Sequence, residues 1–560
     1  MTISDAMFTI SIDHKEVNMN KGMRKLAAVA VLVVFALSSV FASSVLPFEE
    51  KTVILHSNDV HGSVAGYANI AQLRNEYEAQ GADVILVDAG DFSQGTTYVS
   101  TTKGLDAITM MNAAGYDVAT LGNHEFDYGY AQLKDNLSKA EFQVICSDVF
   151  GEDGNTIYPA YTIITTGDDL DIAFIGFETP EAQTKANPAL IKGLKFAAGE
   201  ELYAIAQENI EEVKAAGADL VIALSHLGVD AESEPNRSVD LYANTTGFDF
   251  IVDGHSHTVM TEGENGEPIQ STGTAFATIG VIIIDNATKT IETNFLTSVS
   301  HDEDGTTVYD IPADAYVAGF AQEIMDRVNG EYNIVFAQSL VDLNGERDPG
   351  NRTEETNLGS LIADAMMWTV LKDEGSLTVD DSYAISIVNG GGIRASVKAG
   401  SITKKDINTV LPFGNTITVV YVSGAELLEA LEASTYSTPT AIGGFPQVAG
   451  IEFTVDTTKP YDSNPETYPA STYYGPASIN RVTINSINGN PFDINATYAV
   501  ITNNFMAAGG DTYYAFAASD DKFDTGIPLD EAVMAYITDY LGGVIGEEYA
   551  APFGRIHIVK

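Results

Sequence analysis

Three observations predict a two-domain α/β protein. The chain has 560 residues, more than one hydrophobic core organises. From Lys51 onward, short apolar β-branched segments alternate with amphipathic ones. Beyond about Ala337 the alternation continues, but histidine nearly disappears: His557 alone remains of the nine. The second half is therefore a different domain and not a copy of the first.

The strand-like segments of the first half are Thr52–His56, Val84–Asp88, Asp117–Leu121, Gln143–Cys146, Ile172–Phe177, Leu220–Ser225 and Phe248–Asp253. Between them lie helical patterns such as Ala68–Gln80, closed by Gly81, and Gly199–Ala216, closed by Gly217. Glycine just past a periodic run is a helix stop signal. Short apolar strands alternating with helices give a sheet covered on both faces, with sites beyond the carboxyl ends of its strands. Asp314–Asn329 is periodic and precedes the change in character. This places a linker helix at 314–336, a catalytic domain at 45–313 and a second domain at 337–560, after an extension and signal segment at 1–44.

Lys plus Arg number 28 against 78 Asp plus Glu, a formal net charge of −50. Such a surface repels nucleic acid and anionic lipid, so neither is expected as a partner. Lys21, Arg24 and Lys25 precede an apolar run, Leu26–Leu37, and a small-residue site, Val40-Phe41-Ala42. This is an export signal, too short for the roughly 20 residues of a membrane anchor. The polar Met1–Asn20 is unlike the start of a signal, which points to Met19 or Met23 as the true start. The C-terminus GRIHIVK has no apolar tail, so no lipid anchor is expected there. A secreted or periplasmic protein follows. Its single cysteine, Cys146, excludes an internal disulfide framework and reads as a buried strand residue.

The chemistry gathers at five strand ends. The first runs into SNDVHG with Asp59 and His61, the second into AGDFSQG with Asp91, and the third into LGNHEFDY with Asn123, His124, Glu125 and Asp127. A later strand ends at His226 and another at DGHSH, with His255 and His257. The spacing of Asp59/His61 and of His255/His257 aims both members of each pair to one side if the backbone is extended. Carboxylate, amide and imidazole ligands suit Zn, Mn or a similar divalent ion, with Co or Mg as further options. Seven candidates exceed the needs of one ion and suit two that share a bridging carboxylate. Only Asp59 and Asp91 among them are anionic, so two divalent ions leave the pocket cationic and phosphate is the natural guest.

The wording HSNDVHG, DAGDFSQG, GNHEFDYG and DGHSHT resembles the secreted 5′-nucleotidase family, which includes the periplasmic UDP-sugar hydrolases, and the resemblance runs from about Lys51 to Lys560. It implies a calcineurin-like metallophosphoesterase β-sandwich flanked by helices. It also implies that Asp59, His61, Asp91 and His257 hold one metal, and Asp91, Asn123, His226 and His255 the other. By the same resemblance His124, oriented by Asp127, stabilises the transition state or leaving oxygen; such pairing fixes a histidine tautomer and keeps it cationic. His56 and Glu125 match no functional position. Glu125 is expected to be a structural or solvated neighbour.

In the second half, NGGGIR (Asn389–Arg394) follows a strand-like run, so its amides either wrap an anion or form a tight turn. Arg352 is expected to open the helix RTEETNLGSLIADAM, and Phe413 and Phe505 are each flanked by Pro or Gly turn signals. The resemblance implies that Arg352, Asn389 and Arg394 bind the nucleotide, with Phe413 and Phe505 around the base and Asp511 on the ribose. One departure is Ala508, where many members have Asn. The implied reaction is hydrolysis of a nucleotide 5′-phosphate by a metal-bound water. UDP-sugar diphosphatase or 2′,3′-cyclic-nucleotide phosphodiesterase activity is the alternative. The linker helix must then allow the two halves to close on their substrate.

Overall fold

The computed structural model describes residues 46–560 apart from 187–189, 302–306, 373–375 and 465–474. The expected signal segment lies outside the described residues.

Two six-stranded sheets form the first half. One runs in the order Ile291–Thr297, Thr278–Asp285, Lys51–Ser57, Asp83–Asp88, Val118–Ala119 and Gln143–Val144. Its last four strands are parallel, and Thr278–Asp285 returns antiparallel against Lys51–Ser57. The other is ordered Val259–Met260, Ile269–Thr272, Phe250–Val252, Leu220–His226, Asp171–Glu178 and Tyr161–Thr165. Alternation along these strands builds two cores. Ile54, Val87, Phe174, Ile222, Leu224 and Ile282 fill the space between the sheets, while Ala173, Ile175, Phe177 and Val221 face the helix Glu200–Ala216. The third predicted strand is shorter than expected, Val118–Ala119, and the Asp117 carboxylate before it accepts from the Leu86 N–H and pairs with Arg74. Cys146 is buried and free, but it lies just past the strand Gln143–Val144 instead of within it.

The expected linker helix spans Ala315–Tyr332, with the Asp314 carboxylate accepting the Tyr316 and Val317 N–H groups as its N-cap. Its Arg327 pairs with Asp106 of the first half. Beyond it, a five-stranded sheet is ordered Pro446–Ala449, Ala384–Asn389, Thr497–Asn503, Thr416–Ser423 and Lys522–Pro528. Ala384, Val388, Val419 and Ile501 face one core, and Ile385, Ile387, Val420 and Val500 the other. Both faces are covered, as predicted. Arg352 does not open a helix: Thr356 caps the helix Asn357–Leu371, its side chain accepting from Gly359, and Arg352 sits in the turn before it. Among the described residues no helix is long and apolar enough to cross a membrane.

The two halves meet through polar contacts. Thr97 and Thr409 hydroxyls lie 3.1 Å apart, Ser100 donates to Asn408, and Lys405 lies 4.0 Å over the Tyr98 ring.

Candidate active site between the two halves

Each first-half candidate lies at or just beyond a strand's carboxyl end, and apart from His226, the last residue of its strand, none is on a strand. Asp59, His61, Asp91, His255 and His257 all have positive φ, between 47° and 73°. Left-handed turns, not strand alternation, bring the i,i+2 pairs together, which corrects the expected geometry. Non-glycine residues there carry a local conformational cost that surrounding contacts must offset. At the Asp91 turn the offset is visible. Buried Glu125 accepts the N–H groups of Asp91, Phe92, Ser93 and Gly122, at 2.7–3.0 Å, and the Ser93 hydroxyl. Glu125 is thus a buried structural anchor, not a solvated neighbour, and burial and Asp91 push its carboxyl up to about 7. Gly122 leaves room for the same turn, since a Cβ there would collide with the Asp91 carboxylate.

The imidazoles are set by hydrogen bonds on their outer edges. His226 Nδ1 donates to the Ala89 carbonyl at 2.6 Å, leaving Nε2 3.2 Å from Asp91 Oδ2. His61 Nδ1 donates to the Gln94 carbonyl, and its Nε2 converges with His257 Nε2 at 3.0 Å. His257 Nε2 is 3.4 Å from Asp59 Oδ1. Among the described residues, three sets of ligand atoms are compact enough for an ion: Asp59, His61 and His257; His61, Asp91 and His124; Asp59, Asp91 and His226. Asn123 Oδ1 is buried beside them without a hydrogen-bond partner. A buried carbonyl oxygen left unsatisfied, and outer-edge bonds that fix imidazole tautomers, fit divalent metal binding. His56 is excluded from the cluster: its Nε2 donates to Gln270 Oε1, and burial lowers it to about 4.

His124 Nδ1 lies 2.6 Å from Asp127 Oδ2, and its backbone N–H donates to Asp91 Oδ1. Burial works against the charged form that this pairing favours. Burial lowers the imidazole to about 3, and also raises Asp127 well above the carboxylate range, so neither charge is maintained by the pair alone. Asp91 is instead held well below that range: burial opposes this, but His226 and His124 outweigh it.

Facing this cluster across a solvent-open cleft of about 910 Å³ stand Arg352, Asn389, Arg394, Phe413, Phe505 and Asp511. Phe413 crosses to the first half and stacks on His124, centroids 5.8 Å apart, with Arg394 over its ring at 5.7 Å. Asn389 Nδ2 donates to Asp511 Oδ2 and Asn389 Oδ1 accepts from Asn503. The glycines of NGGGIR form a tight turn, not an anion wrap. The Gly390 and Gly391 N–H groups already donate to the Phe445 and Gly443 carbonyls. A Cβ at Gly390 would collide with the Asn351 carbonyl.

Further residues line the cleft or support it without having been singled out. Lys185, Asp230 and Arg347 line it. Buried Glu181 holds His255 Nε2 at 3.1 Å and lies 3.6 Å from Lys185. Glu181 and Lys185, four apart in PEAQTK, are spaced as a helical ion pair, the one signal that marks them in the sequence.

Comparison with known proteins agrees with this arrangement. Residues 52–259 match the calcineurin-like phosphoesterase family and residues 335–518 the 5′-nucleotidase C-terminal domain. The chain is 30% identical to the trifunctional nucleotide phosphoesterase protein YfkN of Bacillus subtilis over 84% of its length, spanning about a third (33%) of that larger protein. It is 27% identical to the 5′-nucleotidase of Bos taurus, covering 93% of each chain. Among solved structures, the 5′-nucleotidase precursor of Thermus thermophilus superposes with a TM-score of 0.73 at 27% identity, covering 91% of this chain and 99% of that one.

Proposed function

The chain belongs to the family of metal-dependent phosphoester hydrolases that join a calcineurin-like domain to a 5′-nucleotidase C-terminal domain, and from that premise we propose that it is an exported hydrolase of nucleotide 5′-phosphates acting with two divalent ions. The observation that carries this reading is a cleft with two unlike walls: clustered Asp and His ligands on one, Arg352, Arg394, Phe505 and Asp511 on the other. Asp59, His61, Asp91 and His257 are assigned to one ion, and Asp91, Asn123, His226 and His255 to the other, with Zn or Mn the best matches and Co or Mg also compatible. Such a pair would supply an acidified water and positive charge for an in-line phosphoryl displacement.

The protein's own residues do the rest. Asp127 accepts the His124 Nδ1–H and so fixes the ring at the edge of the ligand cluster, where the phosphoryl group must lie. Arg352, Asn389 and Arg394 bind the nucleotide, with Phe413 and Phe505 around the base and Asp511 on the ribose. Since Phe413 rests on His124, base stacking requires it to exchange one ring for the other as the halves move about the helix Ala315–Tyr332. The division into 45–313, 314–336 and 337–560 is supported by that helix and by the separate cores beyond it. Export rests on the signal-like segment before residue 45.

A second reading, diphosphatase or cyclic-nucleotide activity at the same site, draws support from the relative named as a trifunctional nucleotide phosphoesterase. Comparing turnover of AMP, UDP-glucose and 2′,3′-cyclic AMP by the metal-loaded protein separates the two. AMP is expected to be the best substrate. If it is the poorest, the first reading is wrong.

A further inference from the structure

We propose that Glu181 is a positioning residue for the metal centre, acting through His255; the inference rests on the two-ion reading above. His255 differs from the other candidate ligands. It is absent from the three compact sets that bring Asp59, Asp91, His61, His124, His226 and His257 together. Its ring is held from outside instead. Nε2 donates to Glu181 Oε2 at 3.1 Å, with the His255 and Glu181 side chains only 11% and 1% exposed. The edge carrying Cδ2 lies over Gly228, where even a Cβ would sit 3.2 Å away. The backbone is fixed as well, by the positive φ of His255 and by its N–H, which donates to both Asp59 oxygens at 3.0 and 3.2 Å.

An imidazole has two nitrogens. With Nε2–H committed to Glu181, Nδ1 is the nitrogen that carries the lone pair and is left to bind an ion. A carboxylate on the far nitrogen sets that tautomer, restricts ring rotation and strengthens the nitrogen's donor power. His226 receives the mirror arrangement, with Nδ1–H on the Ala89 carbonyl and Nε2 facing Asp91. The two histidines assigned to one ion would thus present opposite nitrogens, each fixed by a dedicated outer acceptor. Lys185, 3.6 Å from the same Glu181 oxygen and itself at the cleft wall, pairs with the buried carboxylate from the other side.

The test is calorimetric titration of Mn²⁺ or Zn²⁺ into chelator-stripped protein, with four variants: Glu181→Ala, Glu181→Gln, His255→Ala and the Glu181→Ala/His255→Ala double. Wild type is expected to take up two ions. Glu181→Ala should lose about 10- to 100-fold in affinity for one ion, with the other little changed. Glu181→Gln should lose less, because its amide oxygen still accepts the Nε2–H. In the His255→Ala background, Glu181→Ala should have no further effect. Wild-type affinity for both ions in Glu181→Ala, or a further loss in the double variant, overturns the positioning role while leaving the two-ion reading intact. Fewer than two ions in wild type strikes that reading itself. Should Glu181→Ala fail to fold, Glu181→Gln decides, and undiminished affinity there overturns the proposal.

Discussion

At the residue scale, the density of ionisable groups in LGNHEFDY marked the site, but it did not assign the labour within it. Asn123 has a buried oxygen without a hydrogen-bond partner, His124 is paired with Asp127, and Glu125 anchors the turn that carries Asp91. The role of Glu125 was not legible, because its partners are backbone N–H groups of residues some 30 positions earlier, and main-chain donors leave no trace in side-chain identity. Two outcomes follow. Asp91→Ala should bind neither ion firmly and turn over no nucleotide, checked by metal analysis and AMP hydrolysis on the same sample; wild-type-like turnover would contradict a shared ligand. Glu125→Ala leaves several buried N–H donors unsatisfied, each costing about 1–3 kcal/mol, so its denaturation midpoint should fall by the equivalent of at least about 3 kcal/mol. A surface-like loss below about 0.5 kcal/mol would remove its anchoring role.

At the element scale, strand and helix periodicity placed the sheets and the linker helix closely, since both signals depend on burial of one face. Turn geometry was less accessible. The sequence pairs Asp59/His61 and His255/His257 converge through left-handed turns, which Asp and His enter more readily than most non-glycine residues but still uncommonly, so residue type alone does not fix them. NGGGIR likewise forms a turn whose amides bond to Phe445 and Gly443, because a neighbouring segment far away in the chain supplies the acceptors. What remains for the nucleotide on that wall is side chains. Phe505→Ala should weaken nucleotide binding by about 1–3 kcal/mol, roughly five- to hundredfold in KM, with hydrolysis of a simple aryl phosphate little changed. An equal loss on both substrates would refute base stacking.

At the scale of the whole molecule, the acidic surface and the buried polar layer impose different pH responses, and the second can be isolated. His56 lies between the sheets, lowered by burial from 6.5 to about 4. Its folded state resists a proton that the unfolded chain accepts, so the stability it contributes is complete above pH 6.5 and is lost as pH falls toward 4. Replacing it by Gln should remove that slope, shrinking the pH dependence of unfolding free energy between 6.5 and 4 by at most about 3 kcal/mol. An unchanged slope would show His56 to be solvated. The same strands carry the proposed metal ligands at or just beyond their carboxyl ends. The central claim is that two ions at these ends, facing a nucleotide wall, act together. Stepwise metal addition to chelator-stripped protein, with bound metal and AMP turnover followed in one titration, tests it most directly: turnover should rise only as the second ion per chain binds, whereas full turnover at one ion per chain, or with none, would contradict the account.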